Sequence, residues 1–206
     1  MPSWLKEGRG SLCGANVSLL LREMGITKPL LVAGERTKNV FFARTGMRLP
    51  VFDAFHPNPD LQDCVAGAAL YQEKGCDGLI SVGGGSAMDT AKGIKALLMT
   101  DIAHVRANQL PSEGNVPHLA IPGTAGTGAE TTAVAVLYED GQKLSVDHPA
   151  LLPDGVLLDG SLLDTLPEYH RKSCAMDALA QGIESWWAKK ATPDSRIHAE
   201  RAIRGV

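Results

Sequence analysis

Apolar residues recur at helical spacing from Leu12 to Met24, where Leu12, Leu19, Leu20 and Met24 can share a face and Gly25 stops the run. Pro29-Leu-Leu-Val-Ala33 is a short unbroken apolar stretch ending at Gly34, the pattern of a buried strand. After Val40 to Arg44 and Gly46 comes a second extended run, Pro50-Val-Phe-Asp53, closed by the turn-rich His56-Pro-Asn-Pro-Asp60. Leu61 to Lys74 is amphipathic through Leu61, Val65, Ala68 and Ala69, with Gly75 as its C-terminal breaker. Gly78-Leu-Ile-Ser-Val82 predicts a strand running into Gly83-Gly84-Gly85-Ser86, and Ser86 to Leu98 predicts a helix. His118 to Ile121 predicts a further strand, followed by a loop from Pro122 to Glu130.

Strands that alternate with helices and end in Gly or Pro predict an α/β fold: a Rossmann-like parallel sheet, with ligand loops at the strand carboxyl ends. Ala133 to Tyr138 and Lys143 to Val146, joined across Glu139-Asp-Gly-Gln142, read instead as a hairpin. Past Asp159 the pattern turns helical, from Leu166-Pro-Glu168 to about Lys189. Thr192-Pro193-Asp194 supplies the cap, first-turn proline and acid that open another helix, whose apolar rhythm continues through Ile197, Ala202 and Ile203 to the end at Val206. The expected organisation is a dinucleotide-binding domain over residues 1–165. Residues 166–206 are then the start of an all-helical domain whose remainder is absent.

Composition narrows the function. The 206 residues carry 20 basic and 23 acidic side chains, net charge −3, which gives no electrostatic basis for nucleic acid or an anionic membrane surface. Apolar runs such as Ala96 to Met99 and Ala133 to Tyr138 fall far short of the roughly 20 residues that span a bilayer. Met1 to Gly10 is mixed and charged, unlike a secretory signal, so a cytoplasmic location is expected. Cys13, Cys64, Cys76 and Cys174 form no C-x-x-C pair and read as free thiols.

Two loops carry candidate chemistry. Gly83-Gly84-Gly85-Ser86 sits between a strand and a helix, where main-chain N–H groups and the helix dipole favour an anion and glycine lets the backbone approach a pyrophosphate. It departs from G-x-G-x-x-G, because Met88 holds the third position. Asp89, one turn on, either lies near the ligand or serves the dipole as a first-turn acid. Thr124-Ala-Gly-Thr-Gly-Ala-Glu-Thr-Thr132 is a second loop of hydroxyls and glycines after another strand. Each alone also fits a structural turn; together they point to a dinucleotide. Asp177 and Gln181 lie four apart on one helical face, either the beginning of a metal site or a polar cleft wall. Trp186 and Trp187 suit helix packing, and the six histidines form no ligand spacing.

These residues resemble, in order and spacing, the iron-containing (group III) alcohol dehydrogenases. Phe52-Asp53 with Pro57-Asn-Pro59, Gly75-Cys-Asp77, Gly83 to Lys92, Ile121 to Glu130, Leu152-Pro-Asp154, Met176-Asp-Ala-Leu179 and Ile183-Glu184 carry the resemblance. It implies two domains with the active site in the cleft between them. Gly84, Gly85, Ser86 and Asp89 would hold the pyrophosphate side of NAD or NADP, with Thr124, Thr127 and Lys143 also at the cofactor. A divalent metal, iron or zinc, would polarise the oxygen of a small alcohol or aldehyde during hydride transfer. The family's metal tetrad is one Asp and three His; Asp177 matches, Gln181 stands where the first His is expected, and the other two His are expected beyond Val206. The stretch from Gly34 to Phe52 is shorter than the family's, which predicts a stunted helix there.

Cofactor choice rests on the end of the first predicted strand, where an acid would bind ribose hydroxyls and repel a 2′-phosphate. Gly34 supplies none, Arg36 and Lys38 suit a phosphate and Glu35 opposes it, a lean towards NADP. The expected function is an NAD(P)- and metal-dependent alcohol dehydrogenase or aldehyde reductase, present as its amino-terminal portion and open to homodimerisation. No single catalytic side chain stands out. The alternatives are a truncated, inactive nucleotide-binding product and a reductase of a specialised aldehyde, for instance one bearing a phosphonate.

Overall fold

The structure, a computed structural model, describes residues 5–112, 114, 116–164 and 166–206. Eight strands and seven α-helices appear among them: β1 (Leu5–Glu7), α1 (Gly14–Glu23), β2 (Pro29–Ala33), α2 (Glu35–Thr45), β3 (Val51–Phe52), α3 (Leu61–Lys74), β4 (Gly78–Gly83), α4 (Gly85–Met99), α5 (Ile102–Arg106), β5 (His118–Pro122), β6 (Val134–Glu139), β7 (Gln142–Asp147), β8 (Gly155–Leu158), α6 (Glu168–Trp187) and α7 (Pro193–Gly205). Six strands form one sheet in the order β1-β8-β5-β4-β2-β3, every pair parallel. β6 and β7 form a separate antiparallel hairpin, paired from Val134↔Asp147 to Glu139↔Gln142.

Strand alternation divides the core into two layers. On β2, Leu30 and Val32 face α3, α4 and the hairpin, whereas Leu31 and Ala33 face α1 and α2. β4 repeats the division, with Leu79 on the first side and Ile80 and Val82 on the second. All five residues of β2 and of β5 are buried, as expected of central parallel strands covered on both faces. α3 starts at a capping box between Asp60 and Asp63 and ends at Gly75 in the left-handed conformation (φ 59°).

Three findings depart from sequence expectation. α2 is an 11-residue helix rather than a stunted one, because Gly34 starts it immediately after β2 and Gly46 closes it at φ 67°. Its polar first turns concealed it, and Phe41 is its one buried residue. The edge strand β1 and its inner neighbour β8, three and four residues long, carry no sequence expectation. The short α5, capped by the Asp101 side chain on the His104 N–H, was likewise unforeseen.

α6 and α7 pack against each other through Gly182, where a Cβ would lie 3.0 Å from Ile203 Cγ1. α7 begins at the expected Thr192, whose hydroxyl accepts from the Ser195 N–H in a capping box. Thr165, inside the expected domain boundary, and Met1–Trp4 lie outside the described residues. No helix among the described residues is long and apolar enough to cross a membrane.

Candidate active site

The chain order reverses across the sheet at β2: the connection to β3 runs one way and the next, to β4, returns on the other side. Such a switch point opens a crevice at the strand carboxyl ends, the usual ligand position in open α/β sheets. A groove of about 340 Å³ occupies it, lined by Gly34 to Thr37 after β2, by Phe55, and by Val82 to Ala87 across β4 and the start of α4. Thr37 spans the crevice, its hydroxyl donating to the carbonyl oxygens of Gly34 (3.1 Å) and Val82 (2.8 Å). A larger groove, about 860 Å³, is lined by Glu130, His148 and Asp154. Asp154 precedes β8, so that groove reaches towards the amino ends of the strands and away from the crevice.

Gly84 is the N-cap of α4 and has no side chain to cap it, so the first N–H groups of the helix face the crevice without a side-chain acceptor. Gly83 adopts φ 153°. The second loop closes over this turn: a Cβ at Gly84 would meet Thr124 Cγ2 and Oγ1 at 3.3 Å, and one at Gly85 would meet Thr127 Cγ2 at 3.3 Å. Gly123 N donates to Gly83 O at 2.7 Å, tying the two loops through main chain. Gly84, Gly85, Ser86, Thr124 and Thr127 are thus brought together.

Asp89 takes a different position. The Val136 main-chain N–H donates to its carboxylate, and burial pushes it up to about 6 despite the pull of Lys92. Lys143 is exposed on β7 opposite Tyr138, outside the residues that line the crevice.

Asp177 and Gln181 do share a face of α6, but they engage each other. Gln181 Nε2 donates to Asp177 Oδ1 at 3.0 Å and, more weakly, to Gly126 O at 3.4 Å. Among the described residues, no three His, Cys, Asp or Glu side chains come together to hold a metal ion. An amide that turns its N–H to the carboxylate, with no third donor, does not make a site for a divalent cation. α6 nevertheless reaches the second loop, since a Cβ at Gly126 would lie 3.0 Å from Cys174 Cα and O.

Sequence reasoning missed a set of buried polar groups on the α4 side of the sheet. Lys92, fully buried, donates to Ala129 O (2.8 Å), Thr132 Oγ1 (3.0 Å) and Val134 O (2.8 Å). Burial pulls its ammonium down to about 8, against Asp89 and Glu130. Lys95, also fully buried and lowered by burial, donates to Asp154 Oδ2 at 3.0 Å. The same oxygen accepts from His118 N, and His118 Nε2 lies 2.8 Å from Ser81 Oγ. Burial, with Lys95 and Lys92 nearby, drives His118 well below the ordinary imidazole range, and its Nδ1 is buried without a hydrogen-bond partner. Lysines at 92 and 95 inside the small and apolar stretch Ala91 to Met99 were the available signal.

An open parallel sheet with a glycine turn and a hydroxyl-rich loop at its switch point defines the Rossmann-like class of α/β fold. Residues 2–160 match the family model described as iron-containing alcohol dehydrogenase, and the chain belongs to that family. It is 36% identical over 174 residues to the probable alcohol dehydrogenase EutG of Escherichia coli (strain K12), a match covering 82% of this chain and 41% of that protein. It is also 36% identical to the 4-hydroxybutyrate dehydrogenase of Cupriavidus necator, covering 86% of this chain and 50% of the other. Among solved structures, sulfoacetaldehyde reductase from Bifidobacterium kashiwanohense in complex with NAD+ superposes with a TM-score of 0.88 at 29% identity, over 98% of this chain and 56% of that one. The chain spans about half the length of the relatives it matches.

Proposed function

We propose that this chain is the nucleotide-binding part of an NAD(P)-dependent oxidoreductase that interconverts a small alcohol and its aldehyde. The observation that carries the reading is the contact of two ligand-type loops over the uncapped N-terminus of α4, at the switch point of the sheet. Residues 5–164 supply the cofactor crevice, and those from Leu166 onward begin a helical domain that reaches it at Gly126 and Cys174.

The residues present fit a dinucleotide, since the α4 N-terminus carries no side-chain cap and its N–H groups are free to meet an anion, while the glycines let the threonine loop close against the turn. Main-chain N–H groups at Gly85 and Ser86, with the Ser86 hydroxyl, would hold the pyrophosphate, and Thr124 and Thr127 would close the other wall. Asp89, which accepts from the Val136 N–H, and Lys143, exposed on β7, stand outside the residues that line this cradle. When bound, the nicotinamide supplies the hydride that is exchanged with the substrate carbon. The residues present do not fit a metal, and no step is assigned to one.

The lean towards NADP rests on Gly34, which offers no carboxylate to oppose a 2′-phosphate beside the groove. Lys38 is held by Glu35 (2.6 Å) and Asp53 (2.7 Å), so its charge is already countered. Fluorescence titration with NADH and NADPH tests both levels. Saturable binding with NADPH several-fold tighter is expected; equal affinities remove the NADP lean, and no saturation with either removes the cofactor reading.

A second reading, nucleotide binding without turnover by these residues alone, is favoured by the Asp177–Gln181 hydrogen bond, which occupies the carboxylate. An aldehyde-reduction assay with and without added Fe2+ or Zn2+ separates the two. A plain short aldehyde and an anionic one belong in that assay, because a structural relative is named for sulfoacetaldehyde.

A further inference from the structure

We infer that Lys92 is a positioning residue for the cofactor, acting through Thr127; this deepens the nucleotide-binding reading and rests on it. The second loop leaves β5 at Pro122, touches the glycine turn with Thr124 and Thr127, and descends alongside α4 to β6 at Val134. Its descending limb has little apolar side chain to bury, Ala129 being its one buried residue from Thr124 to Thr132. Hydrophobic burial alone therefore does not fix it.

Lys92 holds that limb. Two turns into α4 from Gly85, its ammonium uses all three protons on acceptors spread from Ala129 to Val134. Ala129, whose carbonyl Lys92 holds, turns its own N–H to Thr127 Oγ1 at 3.3 Å. Thr127 in turn lies where a Cβ on Gly85 would meet it at 3.3 Å. A continuous path therefore runs from a buried cation to a threonine at the mouth of the phosphate turn. The path doubles back on α4, so one rigid helix sets both walls of the cradle. A lysine with no exposed surface, its hydrogen bonds going to carbonyl and hydroxyl oxygens while the Asp89 and Glu130 carboxylates act on it only through space, is a costly way to fill a core, and an apolar residue would serve packing better.

Lys95 provides the control on the same helix. It is as fully buried, but its partner is Asp154 at the amino end of β8, away from the loop. In the 206-residue chain, NADH affinity and thermal unfolding are measured for wild type, Lys92→Met, Lys95→Met, Thr127→Val and Lys92→Met/Thr127→Val.

The expected result is a roughly tenfold rise in Kd for Lys92→Met and a change within twofold for Lys95→Met, whatever each does to Tm. The double variant should bind within twofold of Thr127→Val alone, since the two residues act along one path. Multiplying fold-changes in the double variant, or a Lys95→Met effect equal to that of Lys92→Met, overturns the inference. If a buried-lysine variant does not fold, Thr132→Val removes one acceptor and keeps the cation. It should raise Kd about threefold and speed amide exchange at Ala129 to Thr132, and unchanged values for both overturn the inference. Absence of NADH binding by wild type is the separate failure of the underlying function.

Discussion

Helices α4 and α6 both carry candidate chemistry, and they are held in opposite ways. From Ala87 to Ala96, α4 is buried except at Asp89, and it packs against β4, α3 and the hairpin strand β6. The 20 residues of α6 bury Gly182 alone, and Tyr169, Met176, Trp186 and Trp187 are exposed. Charge follows the same division. In the α/β body, Asp159 is inside and accepts from the N–H groups of Gly10, Leu12 and Ser161. Along α6 and α7 the ion pairs Glu168–Lys172 and Glu200–Arg204 lie at the surface. The proposed cofactor side is thus built on a helix whose position is over-determined, and the Asp177–Gln181 pair on one whose position depends on few neighbours. Geometry for a small fixed ligand group is demanded of the first and not of the second.

The largest test of this contrast is Asp159→Ala, which leaves the buried Leu12 N–H and the part-buried Gly10 and Ser161 N–H groups without their acceptor and should lower stability by about 3 kcal/mol in urea unfolding. Partial burial opposes the Asp159 charge, yet hydrogen bonds from Ser161, Leu12 and Gly10 bring it down to about 2. A carboxylate lowered on folding stabilises the protein above its unfolded value, so this contribution should fade as pH falls from 4 towards 2. An acid unfolding curve that is the same in wild type and Asp159→Asn would contradict it.

Next, the same small-residue packing can be challenged in both regions. A Cβ on Gly93 would press into Cys64 Sγ and lie 3.1 Å from Leu137 Cδ1, so Gly93→Ala should cost about 2 kcal/mol by overpacking. Gly182→Ala meets Ile203 at 3.0 Å across a pair of exposed helices that can shift, and the helix-propensity gain of up to about 1 kcal/mol should offset the strain. Equal losses of Tm in the two variants would break the comparison.

Asp89→Asn is expected to act with the opposite sign. Burial raises the Asp89 acid to about 6, so the folded protein carries its charge at a cost above that pH and not below the unfolded value near 4. The variant should be more stable by on the order of 2 kcal/mol at pH 7.5 and little changed at pH 4. A uniform shift across that range would mean that the acid does not titrate in the fold as described. Smallest is Glu200→Ala, expected to change stability by less than about 0.5 kcal/mol, as for an exposed i,i+4 pair.

Most of the sheet and the glycine turn were legible because their signals are local. β2, β4 and β5 are short, largely apolar runs ended by Gly or Pro, interrupted only by Ser81 and His118, and α3 is bounded by its own cap and breaker, Asp60 and Gly75. β8, Gly155–Leu158, had an apolar signature but too few residues to assert itself, and β1 had neither length nor alternation. The buried polar set was hidden for another reason. Lys92 and Lys95 look like the solvent face of a helix until their partners arrive from 37 and 59 positions away, and no local pattern encodes such pairing. For Asp177 and Gln181, spacing correctly placed both on one face, but it could not show that the amide would turn its protons to the acid.

The edge strand β1 has a consequence for how the chain comes together in time. Its partner is β8, with Leu5 opposite Val156, and the loop that follows β1 is fastened by Gly10 to Asp159, 149 positions along the chain. During synthesis, strands β2 to β5 can pair as they emerge, whereas the first strand made must wait for the last before it has a neighbour. Closing so long a loop is slow relative to local pairing. β1 is therefore the final piece to join the sheet, and until then the free edge of β8 is open to any other strand that reaches it.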